Sequence, residues 1–132
     1  MIATSEVYKK QIKHFTDLLV WQKAHRLFVD VLGDMAQLPR STVSRVLTDQ
    51  IVRSIGSISA NISEGFLARS TKEYIHYLDI ARRTTGESEN WFYKLRDARL
   101  IDTKTAELRI QTCVEVSKML QRMIKALGKF LK

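Results

Sequence analysis

TAELRIQTCVEVSKMLQRMIKALGKFL, residues 105–131, is the stretch that decides the fold. Its apolar and small residues recur at alternating steps of four and three, which is the spacing of a helix that buries one seam. The seam consists of Ala106, Ile110, Cys113, Ser117, Leu120, Ile124, Leu127 and Leu131. The pattern predicts a long amphipathic helix that Asp102 or Thr103 caps at its start.

Three earlier segments have the same helical period. The apolar face of the second consists of Leu47, Ile51, Ile55, Ile58, Ile62 and Phe66. Pro39 ends the first, and Ser41, Thr42 or Ser44 can cap the second. Gly65 is suited to a left-handed exit from the second, and the third opens with a capping box formed by Ser70 and Glu73. The predicted helices span about residues 17–38, 43–66, 71–99 and 103–131. Short connections make consecutive helices antiparallel neighbours, so the predicted fold class is all-α, an up-down-up-down four-helix bundle over residues 15–132 that follows a basic N-terminal arm, residues 1–14.

The start and the buried face of the first helix are less sharply defined. Thr16 or Asp17 is the predicted cap. The predicted face consists of Leu18, Trp21, His25 or Ala24, Phe28, Val31 or Leu32, Met35 and Leu38.

The charge balance is strongly basic. Twenty-two Lys and Arg against fourteen Asp and Glu give a formal net charge of +8 over 132 residues. Such a field attracts phosphate polymers and acidic surfaces, although solubility alone would also account for it. The longest uncharged stretch, Ser54 to Ser63, is too short and too polar to span a membrane, and the N-terminus has no apolar secretory signal. We therefore expect a cytoplasmic protein with no membrane partner.

No constellation of residues predicts catalysis. Glu73 and His76 form a Glu-x-x-His pair, but a di-iron bundle needs two such pairs and the chain has only this one. Cys113 falls on the apolar seam, where a thiol is hard to deprotonate. The glycines form neither a P-loop nor a dinucleotide fingerprint. The sequence thus predicts no enzyme, no cofactor, no metal and no small-molecule substrate.

The basic residues form three groups. The first is a stripe along the last helix, at steps of four, three, four and three, which should face solvent opposite the seam. Any one group also fits an ordinary solvated helix face, but together they favour RNA or DNA as a partner. The groups are Lys118, Arg122, Lys125, Lys129 and Lys132; Lys9, Lys10 and Lys13 with Lys23 and Arg26; and Arg82 with Arg83.

Several runs together resemble a known bacterial family. They are LVWQKA (residues 19–24), Gln50 with Ile51 and Arg53, SISANISEGF (residues 57–66) and RSTKEY (residues 69–74). The combination resembles the four-helix-bundle proteins encoded in intervening sequences of 23S ribosomal RNA genes. It is also similar to a sister group, the accessory variability determinants of diversity-generating retroelements, which are basic partners of a reverse transcriptase. The resemblance runs from about Phe15 to the C-terminus.

The resemblance implies a homopentameric barrel of four-helix bundles that offers a basic surface to nucleic acid and to a reverse transcriptase. It adds Arg53, at a recurrent basic position, to the nucleic-acid-binding candidates. Asn61 and Glu64 are expected to bond to the start of the third helix and fix the turn. The residues with an implied architectural role are Trp21, Gln50, Asn61, Glu64, Gly65, Ser70 and Glu73.

The leading hypothesis is a non-enzymatic, basic, oligomeric accessory protein that binds RNA and partners a reverse transcriptase in a diversity-generating retroelement. Arg82 and Arg83 favour this version, because they stand where the family usually has small and acidic residues. The alternatives are a ribosomal RNA intervening-sequence protein of unknown role and a scaffold whose basic groups bind an acidic protein. An enzyme would need a polar cleft with perturbed groups, which the sequence does not indicate.

Overall fold

A computed structural model describes residues 11–131 and confirms that this part of the chain is all-helical, with four long helices and no strand. A short 3-10 helix, Phe15–Asp17, comes first. The long helices are α1 (Leu19–Ala36), α2 (Thr42–Phe66), α3 (Thr71–Asp97) and α4 (Thr103–Gly128). Of the predicted basic residues, Lys9, Lys10 and Lys132 lie outside the described residues, as does most of the predicted N-terminal arm.

The four helices pack in a ring around one core. Each contacts the next in sequence, and α1 also contacts α4, so that α1 and α3 are diagonal to each other. Two pairs fix the antiparallel direction of α1 and α4, Lys23 with Glu115 near one end and Asp34 with Arg109 near the other. Every helix contributes fully buried side chains to the core, among them Leu27, Ile55, Phe92 and Leu120.

The interior between α2 and α3 contains polar side chains that satisfy one another. The hydroxyls of Ser54 and Ser88 lie 2.7 Å apart, and the Thr85 hydroxyl donates to the Ala81 carbonyl at 2.7 Å. A buried hydroxyl without such a bond would cost free energy. The small serines therefore let α2 and α3 approach closely without leaving an unpaired polar atom.

Gly65 does not have the role that the sequence predicted. It has no positive φ, and α2 continues through it to Phe66. A Cβ atom at this position would lie 2.9 Å from Tyr74 Cδ1 and 3.2 Å from the Tyr74 carbonyl oxygen. Gly65 is thus required by the close approach of α3, and not by a left-handed turn.

The helix caps are mostly those that the sequence predicted. Ser41, Ser70 and Asp102 each accept a hydrogen bond from the amide three residues later. The Glu73 carboxylate, however, reaches the amide of Arg69 and not that of its partner Ser70. The third helix ends at Asp97 and not at residue 99, because Arg99 takes a left-handed conformation with φ 61°.

The predictions for the first helix need correction. Asp17 accepts hydrogen bonds from the amides of Lys13 and His14, and α1 begins at Leu19 without a side-chain cap. The helix ends at Ala36, two residues before the predicted end. Its buried face consists of Val20, Ala24, Leu27, Val31 and Met35. The face is rotated because α1 packs between α2 and α4, which leaves the predicted Trp21 and Phe28 half-buried at its border and His25 exposed.

The last helix is shorter than the sequence predicted. It ends at Gly128, and Leu131, the last residue of the predicted seam, is 46% exposed. No helix within residues 11–131 is both long and apolar enough to cross a bilayer.

Candidate nucleic-acid interface

The basic stripe of α4 lies on the surface, opposite the buried Val116 and Leu120. Its members are separated by about one helical turn, so they form a row along the helix. Within the described residues none of them forms an ion pair, which leaves their charges available to a ligand. The exposed members of the stripe are Lys118, Arg122, Lys125 and Lys129.

Lys23 brings the basic group of α1 to this stripe. Its ammonium nitrogen lies 3.1 Å from the carboxylate of Glu115 on α4. The hydrogen bond from Lys23 and the charge of Lys23, with a smaller contribution from Lys118, lower the pKa of the Glu115 carboxyl. Glu115 therefore stays ionised and links the two helices, while the guanidinium of Arg26 one turn further along is exposed and without an ion pair among residues 11–131.

A groove of about 560 Å³ separates the start of α1 from the end of α4. Arg122 lies on its α4 side, and Met119, Met123, Leu18 and Leu19 supply apolar surface. A neighbouring depression of about 450 Å³ lies beside Leu19, Lys23, Arg26 and Met119. Both have Gln22 in their lining, so they form one continuous concave surface that has basic side chains at its margins.

We call the surface that carries these groups the α1–α4 face. It combines the α4 stripe with the basic residues of α1, which the sequence had left as separate groups. Its basic residues are Lys23, Arg26, Lys118, Arg122, Lys125 and Lys129.

A row of aromatic rings lies beside this face. The rings of Trp21 and His25 are stacked, with centroids 4.7 Å apart and planes 9° apart. Phe15 lies 5.6 Å from Trp21 on a tilted plane, and His14 lies 4.1 Å from Phe15. A third depression, of about 310 Å³, is lined by Trp21, Gln22, His25, Arg26 and Val29. It adjoins the depression of about 450 Å³ through Gln22 and Arg26.

Three predicted basic residues lie elsewhere. Arg53 on α2 pairs with Asp49 at 3.2 Å. Arg82 and Arg83 on α3 both pair with Asp79, whose pKa is lowered first by the hydrogen bond from Arg82 and then by the two charges. Because α3 is diagonal to α1, these arginines lie away from Lys23 and Arg26, although α3 itself packs against α4. A role for them in nucleic-acid binding stays a prediction.

The residues with a predicted architectural role are only partly placed as expected. The Asn61 amide donates to the carbonyl and the hydroxyl of Ser57, at 2.8 and 3.0 Å, so it stabilises its own helix and does not reach the third. Glu64 and Gln50 are exposed and form no hydrogen bond within residues 11–131. The expected link from Glu64 to the next helix is therefore wrong.

Sequence reasoning missed two features of this region. One is the ion pair between Arg109 and Asp34, in which the guanidinium Nε and Nη2 donate to the carboxylate Oδ2 and Oδ1 at 2.7 and 2.9 Å. The other is the apolar floor of the groove, which forms only when Met119 and Met123 meet Leu19 across two helices. The stacked pair had a readable signal, because Trp21 and His25 are four residues apart and so lie on one side of a helix.

No cluster of three or more His, Cys, Asp or Glu side chains in the described part of the chain could hold a metal ion. Burial raises the pKa of the Cys113 thiol to about 12, so that it stays protonated.

Comparison with known proteins supports the sequence resemblance. The profile of the 23S rRNA-intervening sequence protein family matches residues 16–122. A solved structure from Bacteroides thetaiotaomicron, described as a protein with unknown function from the S23 ribosomal protein family, is similar with 30% identity and a TM-score of 0.76. The similarity covers 81% of this chain and 99% of that one. No curated protein matches the chain. The range of the family match includes Arg122 but ends before Lys125 and Lys129.

Proposed function

The chain belongs to the 23S rRNA-intervening sequence protein family, and from this premise we propose that it is a non-enzymatic accessory protein that binds RNA through the α1–α4 face. The observation that carries the proposal is the union of two basic groups on one surface. Arg26 and the α4 stripe have no acidic partner within the described residues, and Lys23 joins the two helices. Phosphate contacts of this kind position a nucleic acid and lend little sequence specificity.

The dimensions of the stripe fit several phosphates. From Lys118 to Lys129 the helix rises about 16 Å, at 1.5 Å per residue. Four phosphate contacts give a slope of log affinity against log salt of about −3 for a single strand and about −4 for a duplex.

The chemistry of the bundle supports a binding role more than a catalytic one. Within residues 11–131 every buried side-chain nitrogen and oxygen has a hydrogen-bond partner. Cys113, the single thiol, has a pKa of about 12 and is enclosed by the core. We therefore propose that bound RNA is held and not cleaved.

Self-association is part of the proposal. An uncharged strip runs along the outer side of α1 near its C-terminal end, opposite its core face, where Leu32 is 43% exposed. Gly33 and Ala36 on the same strip are exposed and small, so a second copy could approach closely. Protomers that each carry a charge of +8 repel one another, and an uncharged strip is where that repulsion is least. The homopentamer implied by the resemblance would be one such assembly.

The natural partner has two forms within this proposal. In the retroelement form the protein holds RNA beside a reverse transcriptase during copying. The basic pair Arg82 and Arg83 favours this form. In the ribosomal form the gene lies in an intervening sequence of a 23S ribosomal RNA gene, and no reverse transcriptase partner is implied. The position of the gene, next to a reverse transcriptase gene or inside a ribosomal RNA gene, separates the two.

The test is binding of the purified chain to a structured RNA over a series of salt concentrations. The variant Lys118→Glu/Lys125→Glu/Lys129→Glu should bind more weakly and with a shallower salt slope. Its matched control, Arg45→Glu/Lys94→Glu/Lys104→Glu, has the same net charge but carries its changes at the opposite end of the bundle. Equal losses in both variants would show that net charge alone drives binding and would overturn the assignment to this face.

A competition experiment addresses the scaffold alternative. An acidic protein that displaces RNA completely, and binds more tightly at the same salt concentration, would favour a protein partner over RNA.

A further inference from the structure

We infer that the α1–α4 face is built for single-stranded RNA, with one base stacked on the exposed ring of His25 while its phosphates contact Arg26 and Arg122. This inference rests on the proposed RNA binding and specifies the form of RNA. The geometry that carries it is an aromatic plane held rigid next to a basic groove.

The stacked pair is arranged as a platform. Trp21 backs the His25 ring at 4.7 Å with planes only 9° apart, and Phe15 supports Trp21 from further along the row. His25 itself is exposed, whereas Trp21 is half-buried. A base that stacks on His25 would therefore extend an existing stack and would meet a ring whose position is already fixed, which lowers the entropic cost of binding.

The surroundings of the platform fit a nucleotide. The depression beside it is bounded by Arg26 on one side and by the apolar Val29 on another. Gln22 lies between this depression and the groove, and its amide nitrogen donates to the Thr16 carbonyl at 2.8 Å, so its position is also fixed. A base in the depression would place its sugar and phosphate toward Arg26, from which the groove leads past Lys23 to Arg122.

The arrangement distinguishes single strands from duplexes. In a duplex both faces of each internal base are already stacked, and extrusion of a base costs unstacking and unpairing energy. Single-stranded segments offer free faces, which proteins recognise with aromatic side chains next to basic ones. A surface of phosphate-binding residues alone would have no such preference.

The probes are an oligoadenylate of about 12 nucleotides, an abasic chain of equal length and charge, and a blunt RNA duplex, at one low salt concentration. Loss of one stacked base lowers affinity by about 5- to 150-fold. We expect His25→Ala to lower affinity for the oligoadenylate by a factor in this range while leaving the abasic chain and the duplex unchanged. His25→Phe, which keeps an aromatic plane, should restore most of the loss.

One control variant and one independent measurement test whether the effect arises at the His25 platform. His76→Ala removes an exposed histidine on α3, away from the platform, and should leave binding of all three probes unchanged. A Trp91→Phe background leaves Trp21 as the single tryptophan, and oligoadenylate should then quench its fluorescence more than the abasic chain does.

Equal effects of His25→Ala on all three probes, or no effect, would overturn the inference and leave RNA binding by the basic residues intact. Absence of binding to any probe would instead overturn the proposed function. A change in oligomeric state of His25→Ala in sedimentation would identify the platform as a contact between copies of the chain, which also overturns the inference.

Discussion

Of the two ion pairs that link α1 to α4, the Arg109–Asp34 pair is the more shielded from solvent, and removal of one partner should be strongly destabilising. The guanidinium of Arg109 contacts both carboxylate oxygens of Asp34, at 2.7 and 2.9 Å, and lies 3.8 Å from Asp30. Only 18% of the Arg109 side chain and 13% of the Asp34 side chain are exposed. The hydrogen bond to Asp34 also raises the pKa of Arg109, so the guanidinium stays charged.

Removal of one partner from a buried pair leaves an uncompensated charge, which costs about 3–5 kcal/mol. Arg109→Met should therefore lower the free energy of unfolding by about 3 kcal/mol, since Asp34 can recover part of its hydration at this partly open site. For a chain of this length that corresponds to a fall in Tm of about 10 °C. The double variant Arg109→Met/Asp34→Leu should be more stable than the single one, because the unpaired charge of Asp34 is removed and Asp30, which also loses its contact with Arg109, is 39% exposed.

Urea unfolding followed by circular dichroism measures these differences. Arg53→Met is the control, because its pair with Asp49 is exposed and should contribute less than about 0.5 kcal/mol. A loss below about 1 kcal/mol for Arg109→Met, or a double variant less stable than the single one, would refute the reasoning.

Other sites give sharp expectations as well. Gly65→Ala should cost about 1–3 kcal/mol, because its Cβ would meet the Tyr74 backbone, whereas Gly86→Ala, with open space around it, should be neutral or stabilising by up to about 1 kcal/mol. Thermal unfolding of the two variants compares them directly. Cys113, with a pKa of about 12, should react with a thiol reagent at pH 8 at least 100-fold more slowly in the folded than in the unfolded protein. The pKa of this thiol in the unfolded chain is about 8.5. Above that pH only the unfolded chain ionises at Cys113, so the free energy of unfolding should fall as the pH rises. Unfolding curves of wild type and Cys113→Ala from pH 7 to 10 test this.

The features that the sequence predicted well are local. A cap needs only a side chain and the amide three residues later, so Ser41, Ser70 and Asp102 were readable without tertiary structure. The all-helical class followed from periodicity, which needs only the order of apolar residues. The isoleucines of α2 were predicted correctly because small or polar residues separate them and leave one possible face.

The features that it predicted poorly depend on which helix lies next to which. Leu18, Leu19, Val20 and Trp21 are all apolar, so the start of α1 permits more than one buried face. Contact with both α2 and α4 selects Val20 and leaves Leu19 71% exposed. The prediction for Gly65 was wrong for a similar reason, because the atoms that leave no space for a Cβ at this position belong to Tyr74 on another helix.

Part of the candidate interface was predictable from the sequence alone, and part depends on how the helices pack. The stripe from Lys118 to Lys129 was readable as a period of charges, and its exposure follows from the seam opposite. Its union with Lys23 and Arg26 required the packing of the first helix against the last. The grooves and the exposed face of His25 required the rotation of α1, which the sequence did not determine.

The most direct test of RNA binding by the α1–α4 face is lysine footprinting by acetylation and mass spectrometry, with and without a structured RNA. We expect RNA to protect Lys23, Lys118, Lys125 and Lys129, while Lys94 and Lys104 at the opposite end of the bundle stay as reactive as in the free protein. Equal protection of both sets, or protection of Lys94 and Lys104 alone, would contradict this expectation.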